Sequence, residues 1–209
     1  MQYLEELNSG CSPVIKKAAK QILKGRLKGY GSYLHEALAG EIEKPKAWET
    51  QMYLIHALAV TECVEEIDYL KALLNRDHPA TVIYFALTLA IVYLENAESE
   101  NLSFVYDALA SNNTLKAAGA CAALYARKMI LKDEDFKKVM NYISQAHYLK
   151  NMTQVISPFI YILASSYLYS EQNRHEIVFF AKQYEDRQLI RDILNDVSKN
   201  KDGKRIGPF

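Results

Sequence analysis

Asp77-His78-Pro79-Ala80-Thr81-Val82-Ile83-Tyr84-Phe85-Ala86-Leu87-Thr88-Leu89-Ala90-Ile91-Val92-Tyr93-Leu94 is the stretch whose reading decides the fold. Its first three residues are turn formers, and the run behind them is apolar on every side of a helix. The run from Pro79 to Leu94 falls short of the ~18 residues that suggest a membrane span, and it is interrupted by Thr81, Tyr84, Thr88 and Tyr93. A helix that is apolar all round must be covered all round. The stretch therefore predicts a buried core helix in a packed helical layer.

Working outward, helical spacing recurs almost everywhere and strand-like alternation is nearly absent. Ser12-Pro13 reads as a cap and first turn for a helix carrying Ile15, Ala18, Ala19 and Ile22, broken by Gly25, Gly29 and Gly31. A helix with Leu34, Ala37, Leu38 and Ile42 ends before Lys44-Pro45. Trp48 to Ala59, then Val64 to Leu74, form a pair. Asp77-His78-Pro79 opens the next helix, and its partner carries Leu102, Val105 and Leu109. Asn113-Thr114 caps another, Asp133 caps its partner, and apolar patterns at Ile156–Tyr167, Ile177–Tyr184 and Leu189–Val197 complete the chain. The pairs begin near Lys46, His78, Thr114 and Thr153, at intervals of 32, 36 and 39 residues. A drifting period of this size with two helices per unit predicts an all-α fold, an α-solenoid of stacked antiparallel helix pairs. The expected organisation is one helical-repeat domain over 1–209: N-terminal capping helices in 1–45, repeats in 46–197, and a frayed tail in 198–209.

Leu54-Ile55-His56-Ala57-Leu58-Ala59, Ala86-Leu87-Thr88-Leu89-Ala90 and the Asp77-His78-Pro79-Ala80-Thr81-Val82 junction resemble HEAT-like (armadillo-type) repeats. The likeness covers roughly residues 46–197 and is clearest in 46–111. It rests on Leu/Ala spacing and a turn proline; the fixed Trp, small-residue and Tyr offsets of tetratricopeptide repeats are missing. The resemblance implies a HEAT-like superhelix that binds other proteins.

Half of the residues are apolar, and 25 basic residues balance 25 acidic ones. Overall charge calls for neither nucleic acid nor a membrane surface. Cys11, Cys63 and Cys121 are odd in number, widely spaced and without a CxxC pair, which reads as reduced thiols in a cytoplasmic protein. The N-terminal MQYLEELNSG lacks the basic start and apolar core of a signal peptide.

The charge is segregated. Residues 1–35 carry net +4, residues 36–115 net −9, and residues 116–209 net +5. If the second helices of successive pairs line a concave face, Glu65, Asp68 and Tyr69 point outward from one. Glu100, Ser103, Tyr106 and Asp107 then point outward from the next. Together they predict an acidic, tyrosine-bearing surface that attracts a basic protein and repels phosphate. The same pattern suits a solvated face kept acidic for solubility. The basic run Lys16, Lys17, Lys20, Lys24, Arg26, Lys28 suits an exposed helix face, with Lys16, Lys20 and Lys24 on one stripe opposite Ile15, Ala19 and Ile22.

Catalytic motifs are thin. His35-Glu36 and His175-Glu176 match the dipeptide that HEAT-like hydroxylases of the deoxyhypusine type use for iron, but four pairs are needed there and their contexts differ here. HExxH, GxSxG and a P-loop are absent, and His56 and His147 fall within apolar-rich helices. HEAT-like DNA glycosylases need a basic groove where this chain is acidic. The expectation is a non-enzymatic binding module, without metal, cofactor or small-molecule substrate and without membrane or nucleic-acid contact. Its expected role is that of an immunity protein neutralising a basic toxin, since an acidic partner blocks a nuclease's phosphate site. A general HEAT-repeat adaptor and a metal-dependent HEAT-like hydroxylase are the alternatives.

Overall fold

The computed structural model describes residues 2–97, 101–145, 148 and 156–199, and all regular structure among them is helical. The helices are α1 (Leu4–Leu7), α2 (Ser12–Gly25), α3 (Gly31–Glu41), α4 (Trp48–Val60), α5 (Ile67–Leu74), α6 (Val82–Glu95), α7 (Ser103–Ala110), α8 (Thr114–Arg127), α9 (Asp133–Ile143), α10 (Pro158–Ser165), α11 (Glu171–Lys182) and α12 (Gln188–Ser198). Short 3-10 turns at Pro45–Ala47, Val64–Glu66 and Ser166–Leu168 lead into α4, lead into α5 and follow α10. None of the described helices is long and apolar enough to cross a membrane. They form two compact units, residues 1–100 and 101–208.

In the first unit, α4 packs between α2 and α6, while α3 lies on α4, α5 lies on α6, and α1 covers α2 and α3. α6 is the helix of the deciding stretch, and from Phe85 to Leu94 every residue is buried. It begins at Val82, three residues beyond Pro79. The Asp77-His78-Pro79 junction finishes α5 instead: His78 Nε2–H donates to Leu73 O at 2.8 Å and its ring meets Tyr84 edge-on. Leu73 O, which also accepts from Arg76 N–H at 3.0 Å, thereby gains a side-chain donor at the helix end.

In the second unit, α8 packs on α7 and α10, and α10 packs on α12. Ala117 to Leu124 of α8 is a fully buried run of small residues closed by a leucine, and the large Phe159, Ile160 and Leu163 of α10 are buried in the same core. Asn113 caps α8 as expected, its Oδ1 accepting from the amides of Leu115 and Lys116. Two other expected caps differ. Ser12 is the first helical residue, with Cys11 in the cap position and no side-chain bond. Lys132 occupies the cap of α9, and Asp133 accepts instead from Asn173 Nδ2 at 2.9 Å, so it ties α9 to α11. The expected repeat start at Thr153, His147 and the tail from residue 200 lie outside the described residues.

Three helices stop in the same way. After α2, Leu27 N–H bonds Ile22 O and Arg26 N–H bonds Leu23 O; Cys63 and Glu62 repeat this after α4, and Met129 and Lys128 after α8. Each is a Schellman termination whose left-handed residue is charged rather than glycine: Arg26 (φ 47°), Glu62 (φ 61°) and Lys128 (φ 53°). The glycines expected to break α2 are its neighbours, not the residue that makes the turn.

Candidate functional site

Between Gly31 and Leu74 there are eight carboxylates. Four engage a lysine or arginine, Glu41 with Lys44, Glu43 with Arg76, Glu49 with Lys16 and Glu62 with Lys28, and a fifth, Glu66, bonds the His35 ring. The remaining three, Glu36, Glu65 and Asp68, are exposed and form no ion pair within the described residues. Four of the five pairs join positions 31 to 34 residues apart. Each of these four pairs joins two different helices or loops of the first unit.

The basic helix α2 accordingly faces inward in part. Lys16 is half-buried against Glu49, whose carboxyl the Lys16 hydrogen bond holds below its usual range, and Lys20 sits 4.5 Å from the centre of the Tyr53 ring. Lys28 reaches Glu62.

At the outer face, His35 of α3 donates from Nδ1 to Glu66 Oε2 at 2.5 Å, and its ring lies 4.2 Å from that of Tyr69 on α5. Tyr69 is therefore half-buried rather than fully outward. Burial first, and the Glu66 charge second, push its hydroxyl pKa up. Glu65 lies over the start of α3. A Cβ on Gly31 would come within 2.9 Å of Cys63 Sγ and 3.3 Å of Glu65 Oε1, so the close approach requires glycine there. A carboxylate near a helix N-terminus is favourably placed. The Cys63 thiol is buried, bonds Thr61 Oγ1 and is pushed up by burial. Among the described residues no three His, Cys, Asp or Glu side chains gather as metal ligands. His175 and Glu176 are exposed on α11, and His56 is buried, its pKa lowered by desolvation to about 4.

The expected surface residues from Glu100 to Asp107 behave differently. Glu100 lies outside the described residues. Ser103 is exposed but donates its hydroxyl to Asn101 Oδ1 at the start of α7. Tyr106, expected to point outward, donates to Asp135 Oδ1 at 2.5 Å and carries Lys138 over its ring, because α9 packs alongside α7. Burial and the Asp135 hydrogen bond push its pKa up. Asp107, like Ser103, is exposed as expected.

No family model, curated protein or solved structure matches this chain. The site must therefore be read from its own geometry. The spacing did not single out Phe179, which is 72% exposed on α11 beside a concavity of about 360 Å³ lined by Met140 and Phe180. Its only signal in the sequence is an aromatic residue off the buried stripe of Ile177 and Ala181.

Proposed function

We propose that the chain is a non-enzymatic protein-binding module whose helix pairs are HEAT-like repeats, and that α3 and α5 present the face that grips a basic protein partner. One observation carries this reading: five of the eight carboxylates from Gly31 to Leu74 meet a Lys, Arg or His side chain of the chain itself, while Glu36, Glu65 and Asp68 stay exposed with no such partner among the described residues. Carboxylates beside the half-buried Tyr69 ring suit cationic side chains, by charge and by cation–π contact. Phosphate is repelled from the same face. In its sharper form the partner is a basic nuclease toxin and the chain is its immunity protein, covering the surface that would hold phosphate. An adaptor that collects basic proteins uses the same face.

The test is capture from native lysate by the wild-type chain and by Glu65→Lys/Asp68→Lys, with bound proteins identified by mass spectrometry. The reading expects a basic protein held by the wild type and lost by the double variant, with Asp107→Lys alone having the smaller effect. Equal capture by both removes it. A captured nuclease that is inhibited in the complex supports the immunity form; a captured basic protein without such activity supports the adaptor.

A further inference from the structure

In the first unit Lys16, Lys28, Lys44, Lys71 and Arg76 each pair with a carboxylate. Lys20, Lys24 and Arg26 pair with none among the described residues, and all three are exposed. These three line one concavity of about 530 Å³ between α2 and α4, together with Leu23, Tyr53 and Val60, and no Asp or Glu among the described residues is on its lining. Lys20 and Lys24 are one turn apart on α2, where side chains are neighbours. Lys20 is kept over this wall by the Tyr53 ring, 4.5 Å from its ammonium. Arg26 ends the helix at φ 47°, a left-handed position that costs an L-residue free energy. Glu62, in the same position after α4, uses its charge on Lys28, whereas the charge of Arg26 is left over. A surplus charge held at a strained position points to a role outside the chain's own packing.

The cluster is bounded at both ends. Lys16 is spent on Glu49, which Lys20 also attracts more weakly, and Lys28 is spent on Glu62. Nucleic acid needs a track of cations that continues along its backbone. Here neutralised pairs close the track and leave room for one anionic group. Charge decides which group. The C-terminus of α2 carries about half a negative charge, which lowers three positive charges to about 2.5. A carboxylate would leave more than half of that uncancelled. A phosphate monoester brings about −1.5 to −2 at neutral pH and three acceptor oxygens. A guanidinium fork takes two such oxygens side by side, and ammonium groups serve as point charges for the rest. Leu23, Val60 and the half-buried Tyr53 ring supply apolar surface beside the cations, as a site for an organic group requires.

We propose that the concavity between α2 and α4 binds a small organic phosphate monoester. Lys20, Lys24 and Arg26 hold the phosphate, and Leu23, Tyr53 and Val60 cover the organic group. The site uses none of the acidic residues of α3 and α5 and does not rest on the reading of that face.

The experiment is an NMR titration of the full chain with phenyl phosphate at neutral pH and low salt, with benzoate as the singly charged control of similar shape. The expected result is saturable shifts of the Lys20, Lys24, Arg26, Tyr53 and Val60 amides with phenyl phosphate, and binding about tenfold weaker or more with benzoate. Arg26→Gly removes the guanidinium and suits the left-handed turn. It should weaken the titration about tenfold while leaving the urea midpoint equal or higher, so its loss of binding is not a loss of fold. Lys24→Gln should weaken binding in the same way. Lys17→Gln, at an exposed lysine of α2 off the lining, should leave it unchanged. Equal binding of benzoate, a wild-type titration in Arg26→Gly and Lys24→Gln, or a Lys17→Gln effect as large as theirs overturns the proposal. Phenyl phosphate needs no protein partner, so failed capture in the lysate experiment and failed titration here are separate results.

Discussion

The two units solve the same packing problem with different chemistry. In the first, neighbouring helix pairs are joined across one repeat by ion pairs: Lys16–Glu49, Lys28–Glu62, His35–Glu66 and Glu43–Arg76. In the second, the described bonds over a similar separation are hydrogen bonds. Tyr148 donates to Leu109 O at 2.5 Å, Tyr106 to Asp135, and Asn173 to Asp133. The cores differ too. α4 and α6 meet through Leu, Ile and Ala, whereas the small residues of α8 face the large ones of α10. Helices distant in sequence are thus held together by salt bridges in one unit and by hydrogen bonds to carbonyl or carboxylate oxygens in the other.

The largest expected effect breaks the second unit alone. Phe159 is fully buried and meets Phe180 edge-on at 5.5 Å. Phe159→Ala should cost about 3–5 kcal/mol, read by hydrogen exchange as lost protection in α8, α10 and α12, with α4 and α6 far less affected. Equal loss in both regions would end the distinction between the units.

The units should also differ in their pH limits. His56, buried in α4, has a folded-state pKa of about 4, below the unfolded value near 6.5. Between those values the unfolded chain binds the proton and the folded chain does not. Stability therefore falls as pH drops through this window, by on the order of 3 kcal/mol at full protonation of the unfolded chain. His56→Met should flatten that slope in urea titrations. In the second unit, burial raises the Cys121, Tyr161 and Tyr169 pKa values, and Tyr148 is pushed up to about 12. The unfolded chain loses these protons first, so this unit should weaken as pH rises above about 9–10. Exchange measured at pH 5 and pH 10 should open α4 first in acid and α8 and α10 first in alkali.

Smaller effects separate the two ways of holding helices together. Tyr148→Phe leaves Leu109 O buried without its donor and should cost about 1–3 kcal/mol, independent of salt. Double-mutant cycles on Lys28–Glu62 and Glu43–Arg76 should give couplings of about 0.2–1 kcal/mol that fade in high salt. A salt-insensitive coupling there would mean that charge does not hold these segments together.

Much of the fold is legible in the sequence because it depends on burial. The 79–94 run can only be a covered helix, and its residues from Phe85 to Leu94 are all buried. The shared Schellman terminations are not legible, because Arg26, Glu62 and Lys128 occupy a position where glycine is the usual signal. Nor is the fate of Tyr106, since helical spacing says which side is apolar but not which neighbouring helix lies beside the polar side. Glu65 and Asp68 read correctly as exposed acids. Glu41 is visible as an acid on an apolar stripe, yet only the packing shows that one of its oxygens lacks a donor.

The central claim is that the unpaired acids of α3 and α5 are the gripping face. Hydrogen-exchange footprinting of the chain with its captured partner tests this directly. The account predicts new protection over residues 31–43 and 64–74, weakened by added salt. Protection confined to α11 around Phe179, with 64–74 unchanged, would contradict it.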